Sequence, residues 1–397
     1  MSERRALVVG GSGQIGPLVV RGLLDRGYEV AILHGGQHEH PDLPEVEHIH
    51  VDPHFSETLE SGLTGRRFEL ALAMYGRTRL VVEALVGRCP RVISVSGTAH
   101  AYFDRDDERW GPLGQTLVDE ASPFSRTKAD RLSYAVGRTE QDLLDRHRRE
   151  EIEVTIARFP EVYGPDSRVG RDWSIVRRIL DRRPYLILPD AGLRLAGRLY
   201  RDNAAEALLL LVDQSDRTSG EVYTVADGTG GVTTGQIAAF FAAELGHEWD
   251  LINLPGFLVE PVYRDLCGYH RIYDTSKIKA LGYEDRVGVV DALRETARWW
   301  SVNPPVRGGA FEGRMGDSFD YGMEDRLVAR YRDAVARLVA EDRGQVAAHP
   351  YRHPTSVGEK WGDDTSGKIV SGQQDQWPFA MWRPAFDGPA NLFDDAS

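Results

Sequence analysis

Glycines fall three residues apart at Gly10, Gly13 and Gly16 in the segment Val8-Val9-Gly10-Gly11-Ser12-Gly13-Gln14-Ile15-Gly16. Such spacing gives a tight turn, lets the backbone approach a ligand closely, and lets the next helix pack hard on a sheet. The chemistry it serves is phosphate binding, because free amides and the positive end of the helix dipole point at the loop. With a buried strand before it and an amphipathic helix after it, the loop predicts the pyrophosphate site of NAD or NADP.

The second strand ends in His34-Gly35-Gly36, where a carboxylate would hold the ribose hydroxyls of NAD and an arginine would favour the 2′-phosphate of NADP. No carboxylate is there to repel a phosphate, a slight lean to NADP, and no arginine is there to bind one, so both cofactors stay open. Six histidines crowd the same region: His34, His38, His40, His48, His50 and His54. Two His-x-His pairs could ligate a metal. A surface loop accounts for His38 and His40, and alternation along a third strand for His48 and His50, so no metal is expected.

The elements that must carry these residues alternate. Ala6–Val9 is a short unbroken apolar run, as a strand buried on both faces requires, and residues 17–26 read as a helix with proline in its first turn and Gly27 as its stop. Tyr28–Leu33 is the next strand, and further apolar runs follow at Leu70–Met74, Val92–Val95 and Val154–Ile156. This predicts an α/β fold: a Rossmann-type, doubly wound parallel sheet in residues 1–165, with later segments returning to it. Residues 166–302 read as a smaller mixed α/β substrate lobe, with helices near 173–181, 203–212, 234–245 and 291–300 and a strand at Val222–Val225. Asn303-Pro304-Pro305 and Gly308-Gly309 mark a boundary. Residues 303–397 form a C-terminal extension: one amphipathic helix with Leu327, Tyr331, Ala334, Val335 and Leu338 on one face, then an arm rich in Gly, Pro, Asp and Trp that includes Trp361, Trp377 and Trp382. That arm is expected to pack on its own subunit or on a neighbour in a homo-oligomer.

Composition removes several classes of function. The 397 residues carry 48 Lys+Arg against 61 Asp+Glu, a net charge of -13 that would repel a nucleic acid backbone. Only Cys89 and Cys267 are present, without metal-type spacing, which excludes a disulfide framework and suits a reducing cytoplasm. The four apolar residues 6–9 are too few for a signal-peptide core, and no apolar run reaches membrane-spanning length.

In order along the chain, further blocks join the glycine loop: Val51-Asp52; Ala157-Arg158-Phe159-Pro160-Glu161-Val162-Tyr163-Gly164-Pro165; Tyr200-Arg201-Asp202-Asn203-Ala204-Ala205-Glu206-Ala207; and Asp274-Thr275-Ser276-Lys277 with Leu281-Gly282-Tyr283. From residue 6 to about 302 the sequence resembles the extended short-chain dehydrogenase/reductase family, the NAD-dependent epimerase/dehydratase group. The resemblance implies hydride transfer at C4 of a nicotinamide on a hydroxyl- or carbonyl-bearing small molecule, such as a sugar derivative or secondary metabolite. A tyrosine serves as acid/base, a lysine follows four residues later, and a serine or threonine sits at the preceding strand end. A phenol of ordinary pKa near ~10 needs positive charge nearby to act at neutrality.

Carried onto this chain, the resemblance puts the hydroxyl on Thr98, with Ser96 as fallback, and the tyrosine on Tyr134. Arg138 stands where the lysine belongs. Arginine stays protonated and presents a planar fork, so it can bind the nicotinamide ribose or steady a tyrosinate but cannot relay a proton. Lys128 lies earlier in the same region. A literal Tyr-x-x-x-Lys at Tyr273–Lys277 falls in the late block, too far along the chain for the catalytic helix. The implied cofactor contacts are Gly10, Gly13, Gln14, Ile15, Gly16, His34, Asp52, Met74, Gly76, Arg138 and Pro160. Tyr75, Tyr102, Val162, Tyr163 and Arg201 are expected to face substrate. The arginine at 138 also leaves an alternative, a non-catalytic dinucleotide-bound sensor or scaffold.

Overall fold

Seven strands, apolar and buried through the middle of the sheet and polar at its Glu47–His50 end, make one parallel sheet. They are β1 (Arg5–Val9), β2 (Glu29–His34), β3 (Glu47–His50), β4 (Leu70–Ala73), β5 (Arg91–Gly97), β6 (Glu153–Phe159) and β7 (Val222–Thr224), in spatial order β7-β6-β5-β4-β1-β2-β3. All the pairings are parallel. The computed structural model describes residues 4–37, 39–98, 117–128, 130–228, 231–263, 270 and 272–341. The Rossmann-type sheet predicted from the apolar runs is therefore present.

Alternation of side chains sends successive residues to opposite layers. Ala6 and Val8 of β1 join Val30 and Ile32 in one apolar cluster, while Leu7 and Val9 join Ala31 and Leu33 in the other. The first layer is closed by α1 (Gly16–Asp25) and the helix Arg201–Asp213, through Val19, Val20, Leu23, Leu208 and Leu211. The second is closed by α2 (Ser56–Leu63), α3 (Thr78–Leu85) and α4 (Arg131–Arg148), through Leu59, Leu63, Val82, Leu85 and Leu143. Each fully enclosed leucine contributes roughly 1.5–3 kcal/mol, so both layers hold the strand ends rigidly. Neighbours of β1 lie on either side of it, β2 and β4, and the chain's winding reverses there, which opens a crevice beyond the strand ends.

Two compact units divide the described chain. One comprises the residues up to 183, 188–247 and 253–318, and holds the whole parallel sheet; the other comprises 184–187, 248–252 and the residues from 319 onward. In the second unit the Tyr185 hydroxyl donates to Asp325, and Arg332 Nη2 donates to Asp250 at 2.8 Å. The predicted amphipathic helix exists at Tyr321–Glu341, but its apolar face is only partly enclosed. Val328 and Glu324 are buried, Val335 and Leu338 are exposed, and Ala334 is exposed as well. Burial follows the stripe through 324, 327, 328 and 331 and does not extend to the end of the helix. The Trp-rich arm, with Trp361, Trp377 and Trp382, lies outside the described residues, as do His38, Tyr102 and Cys267. Among the described residues no helix is long and apolar enough to cross a membrane.

Candidate functional site

The glycine loop occupies the crevice its sequence predicts. Gly10 leaves β1 at φ +87°, a left-handed conformation, and a side-chain carbon there would stand 2.5 Å from Tyr75 Cβ. At Gly16 a methyl group would overlap the Gly11 carbonyl, so only glycine lets α1 start this close to the loop. Gly13 is different. Among the described residues a methyl there would meet only Gly10 O, at 3.4 Å. Gln14 Nε2 is buried with no hydrogen-bond partner among the described residues, and α1 begins at Gly16 with Pro17 behind it. An open glycine, an orphaned donor and a helix N-terminus are what a dinucleotide phosphate would satisfy. Ile15 packs on the first apolar layer.

The ends of β2 and β4 flank this loop. Gly10 N–H donates to Leu33 O at 2.9 Å and Met74 N–H to Val9 O at 3.1 Å. Tyr75 is exposed, Gly76 turns at φ +91°, and Met74 is half-buried. Asp52 is exposed and accepts from the His54 amide at 2.9 Å and the His54 ring at 2.7 Å. These hydrogen bonds hold its carboxyl below the usual range.

His34 is buried, and burial first, then His50 and His48, lowers its pKa below the ordinary histidine value. A neutral imidazole offers no charge to a 2′-phosphate. The sequence divides the nearby histidines between a loop and an alternating strand, but strand register gathers them: His34 pairs with His50, and Ile32 with His48. Both β3 histidines share a face, since alternation places i and i+2 together. Glu39, which the sequence reading did not single out, joins them, and ligand atoms of His34, Glu39, His48 and His50 all lie within 4.8 Å of one another. His40 is separate and bonds Asp166 at 2.9 Å.

At the end of β5 the two candidate hydroxyls part company. Thr98 is buried, and its Oγ1 donates to Tyr273 OH at 3.0 Å. Tyr273 reaches it because the two-residue strand Ile272–Tyr273 pairs in parallel with Leu117–Val118. Ser96 is half-buried and lines a cleft of about 660 Å³ between α3 and α4. Gly76, Arg77 and Arg79 line one wall, and Ala135, Val136, Thr139 and Glu140 the other.

Helix α4 carries Tyr134 and Arg138. Asp130 caps it, accepting from Ser133 N–H at 3.0 Å. Tyr134 is half-buried and Arg138 exposed, and among the described residues neither is hydrogen-bonded to Thr98. Lys128 is exposed in the turn before the helix. Two features fix α4 on the sheet. Gly137 packs against Phe124, where a side-chain carbon would stand 2.5 Å away. Glu140 is buried against Arg158 of β6, whose Nη2 donates to it at 2.6 Å and whose Nη1 donates to the Glu120 carbonyl at 3.0 Å. Nothing in the run Glu140-Gln141-Asp142 distinguishes that glutamate in sequence.

Several residues expected at the ligand are enclosed. Tyr163 is 1% exposed, its ring 5.4 Å from that of Tyr200 and 4.1 Å below the Arg198 guanidinium, so in this conformation it has no surface for substrate. Burial first, and then the nearby Asp227 carboxylate, push its phenol well above the usual range. Pro160 is buried and Val162 half-buried. Arg201 is held by three carboxylates, Asp202 at 3.3 Å, Glu295 at 3.6 Å and Asp166 at 3.7 Å. Asn203, beside it, is fully buried and donates to Asp227 at 2.9 Å and to Val287 O at 3.0 Å. Lys277 pairs with Glu221 at 2.7 Å and lies over the Tyr223 ring.

No protein-family model and no curated protein matches the sequence. Solved structures do match in fold. A UDP-glucose 4-epimerase from Thermotoga maritima, solved with UDP-glucose, is similar at TM-score 0.60 and 20% identity over 75% of this chain and 98% of its own. A dTDP-glucose 4,6-dehydratase from Streptomyces venezuelae with NAD bound gives 0.59 and 22% over 75% and 97%. A Thermus thermophilus UDP-glucose 4-epimerase in complex with NAD gives 0.56 and 21% over 75% and 98%. The chain thus has the fold of the extended short-chain dehydrogenase/reductases, that of the NAD-dependent epimerases and dehydratases. The Streptomyces dehydratase and the Thermus epimerase were solved with NAD, and the lean to NADP drawn from the missing carboxylate finds no support in them.

Proposed function

We propose that this chain is an NAD-dependent enzyme that transfers a hydride at a hydroxyl- or carbonyl-bearing carbon of a nucleotide-sugar-like small molecule. The observation that carries the reading is the crevice at the β1–β4 reversal, where open Gly13, the unpartnered Gln14 Nε2 and the start of α1 converge. NAD is favoured over NADP because structures of the same fold were solved with NAD and His34-Gly35-Gly36 offers no arginine to a 2′-phosphate. A bound nicotinamide would supply the hydride donor and acceptor.

The chain's own groups would manage the proton and the orientation. Tyr134 holds and exchanges a proton with the substrate oxygen, and Arg138, one helical turn on, binds the nicotinamide ribose. Ser96, half-buried near the end of β5, replaces Thr98 as the hydroxyl that fixes the substrate oxygen, because Thr98 is bonded to Tyr273. Nucleotide released from purified protein, identified by mass, and turnover of UDP- or dTDP-sugars by wild type and Tyr134→Phe test this. Full activity in the variant would refute the assignment of Tyr134. Bound nucleotide with no turnover in any assay would favour the non-catalytic sensor.

One observation favours a second reading of the acid/base. The Thr98–Tyr273 hydrogen bond places a phenol directly on a strand-end hydroxyl. On this reading Tyr273 replaces Tyr134 and Arg138 serves only the cofactor.

A further inference from the structure

We infer that His34, His48, His50 and Glu39 form a binding site for a divalent transition-metal ion of the zinc class, clipping the edge of the parallel sheet. His34 ends β2, and His48 and His50 lie on β3, which among the described residues has only β2 as its neighbour in the sheet. Glu39 comes from the segment that joins the two strands. Their four ligand atoms lie within 4.8 Å of one another.

The spacings suit a tetrahedral ion. Bonds of about 2.0–2.2 Å to nitrogen and oxygen put neighbouring ligands about 3.3 Å apart. His34 Nε2 stands 3.2 Å from His48 Nδ1, and Glu39 Oε1 stands 3.4 Å from the same Nδ1. In the metal-free chain one proton bridges the two imidazole nitrogens, and the ion would take its place. His34 must then carry its proton on Nδ1, which gives up the 3.3 Å contact from the Gly36 amide. That contact is at the long end for a hydrogen bond. The ring of His50 lies 4.8 Å from that of His34 and 5.6 Å from that of His48, centre to centre. Gly36, at φ +71°, leaves the space His50 needs, since a side-chain carbon there would stand 3.0 Å from His50 Nδ1. Three imidazoles favour Zn²⁺ over Mg²⁺ or Ca²⁺, and four protein ligands describe a closed, structural site. The inference does not rest on the proposed activity, although His34 ends the strand whose tip would face the cofactor ribose.

The test uses the tag-free full chain, stripped with chelator and titrated with Zn²⁺ alone, with Co²⁺ as spectroscopic probe. One Zn²⁺ per chain, a tetrahedral Co²⁺ visible spectrum and a rise in unfolding temperature with Zn²⁺ are expected. His48→Ala and His50→Ala should each weaken binding at least about tenfold, whereas His147→Ala, on α4, should leave it unchanged. His50 is exposed and His48 partly so, which keeps these variants foldable, and His48→Gln repeats the test at nearly constant size. Wild-type affinity in the His48/His50 double variant, loss in His147→Ala, or no binding to the wild-type chain would overturn the inference.

Discussion

Thr98 Oγ1 donates to Tyr273 OH at 3.0 Å across 175 positions of sequence, whereas position along the chain favours Tyr134 as the acid/base. The two phenols make opposite predictions. Tyr134→Phe is expected to lower kcat by about 10²–10⁴-fold, the usual worth of a general acid/base, with nucleotide affinity retained. Tyr273→Phe keeps its ring and loses one hydrogen bond, so only a small change in kcat should follow. Steady-state kinetics on both variants decide, and the reverse pattern would hand the proton transfer to Tyr273.

The glycine loop separates folding from binding. Gly16→Ala drives a methyl into the Gly11 carbonyl, and backbone on both sides must shift, so a loss of roughly 1–3 kcal/mol or more is expected together with loss of nucleotide. Gly13→Ala meets only Gly10 O at 3.4 Å, so its unfolding temperature should stay near that of wild type while its affinity for NAD falls. Calorimetric titration beside thermal melts checks the pair. If Gly13→Ala bound NAD normally, the phosphates would not lie on this loop.

Much of this fold was legible because the central strands are covered on both faces and announce themselves as apolar runs. Ala6–Val9 and Leu70–Ala73 have every residue buried. The histidine cluster was not legible, because alternation along β3 says that His48 and His50 share a face but not which residue of β2 lies beside them; the His34–His50 register settles that. Thr98–Tyr273 depends on a two-residue strand pairing, too short to leave a pattern. Spacing of four misleads at Tyr273–Lys277 for a physical reason. Tyr273 ends a strand and Lys277 sits in a short helix facing Glu221, so the two do not share a helical face.

Glu140 and Arg158 form a buried ion pair that fixes α4, and with it Tyr134 and Arg138, to the sheet. Removing one partner leaves an uncompensated charge, so Glu140→Ala should destabilise the protein by about 3–5 kcal/mol in denaturant melts. The double variant Glu140→Leu with Arg158→Met should recover most of that loss, since apolar groups of similar size can replace a buried pair. A double variant no more stable than Glu140→Ala would show that the Arg158 bonds to the Asp119 and Glu120 carbonyls matter more than the pair.

Asp227 gives a pH dependence whose sign can be worked out. Burial lifts its carboxyl above the usual range, although hydrogen bonds from Asn203 and the Tyr200 amide pull it down. The folded chain therefore takes up this proton at a higher pH than the unfolded chain, whose carboxyl titrates near ~3.9. Asp227's contribution to stability is then fully present below that value and is lost as pH rises through the folded pKa. Asp227→Asn keeps an acceptor for the Tyr200 amide but removes the titration. Unfolding free energies of wild type and Asp227→Asn should be compared at several points between pH 7 and pH 4, where general acid effects cancel in the difference. Wild type is expected to gain on the variant as pH falls. A difference that stays flat, or moves toward the variant, would mean that the hydrogen bonds outweigh burial and that Asp227 is ionised in the fold throughout.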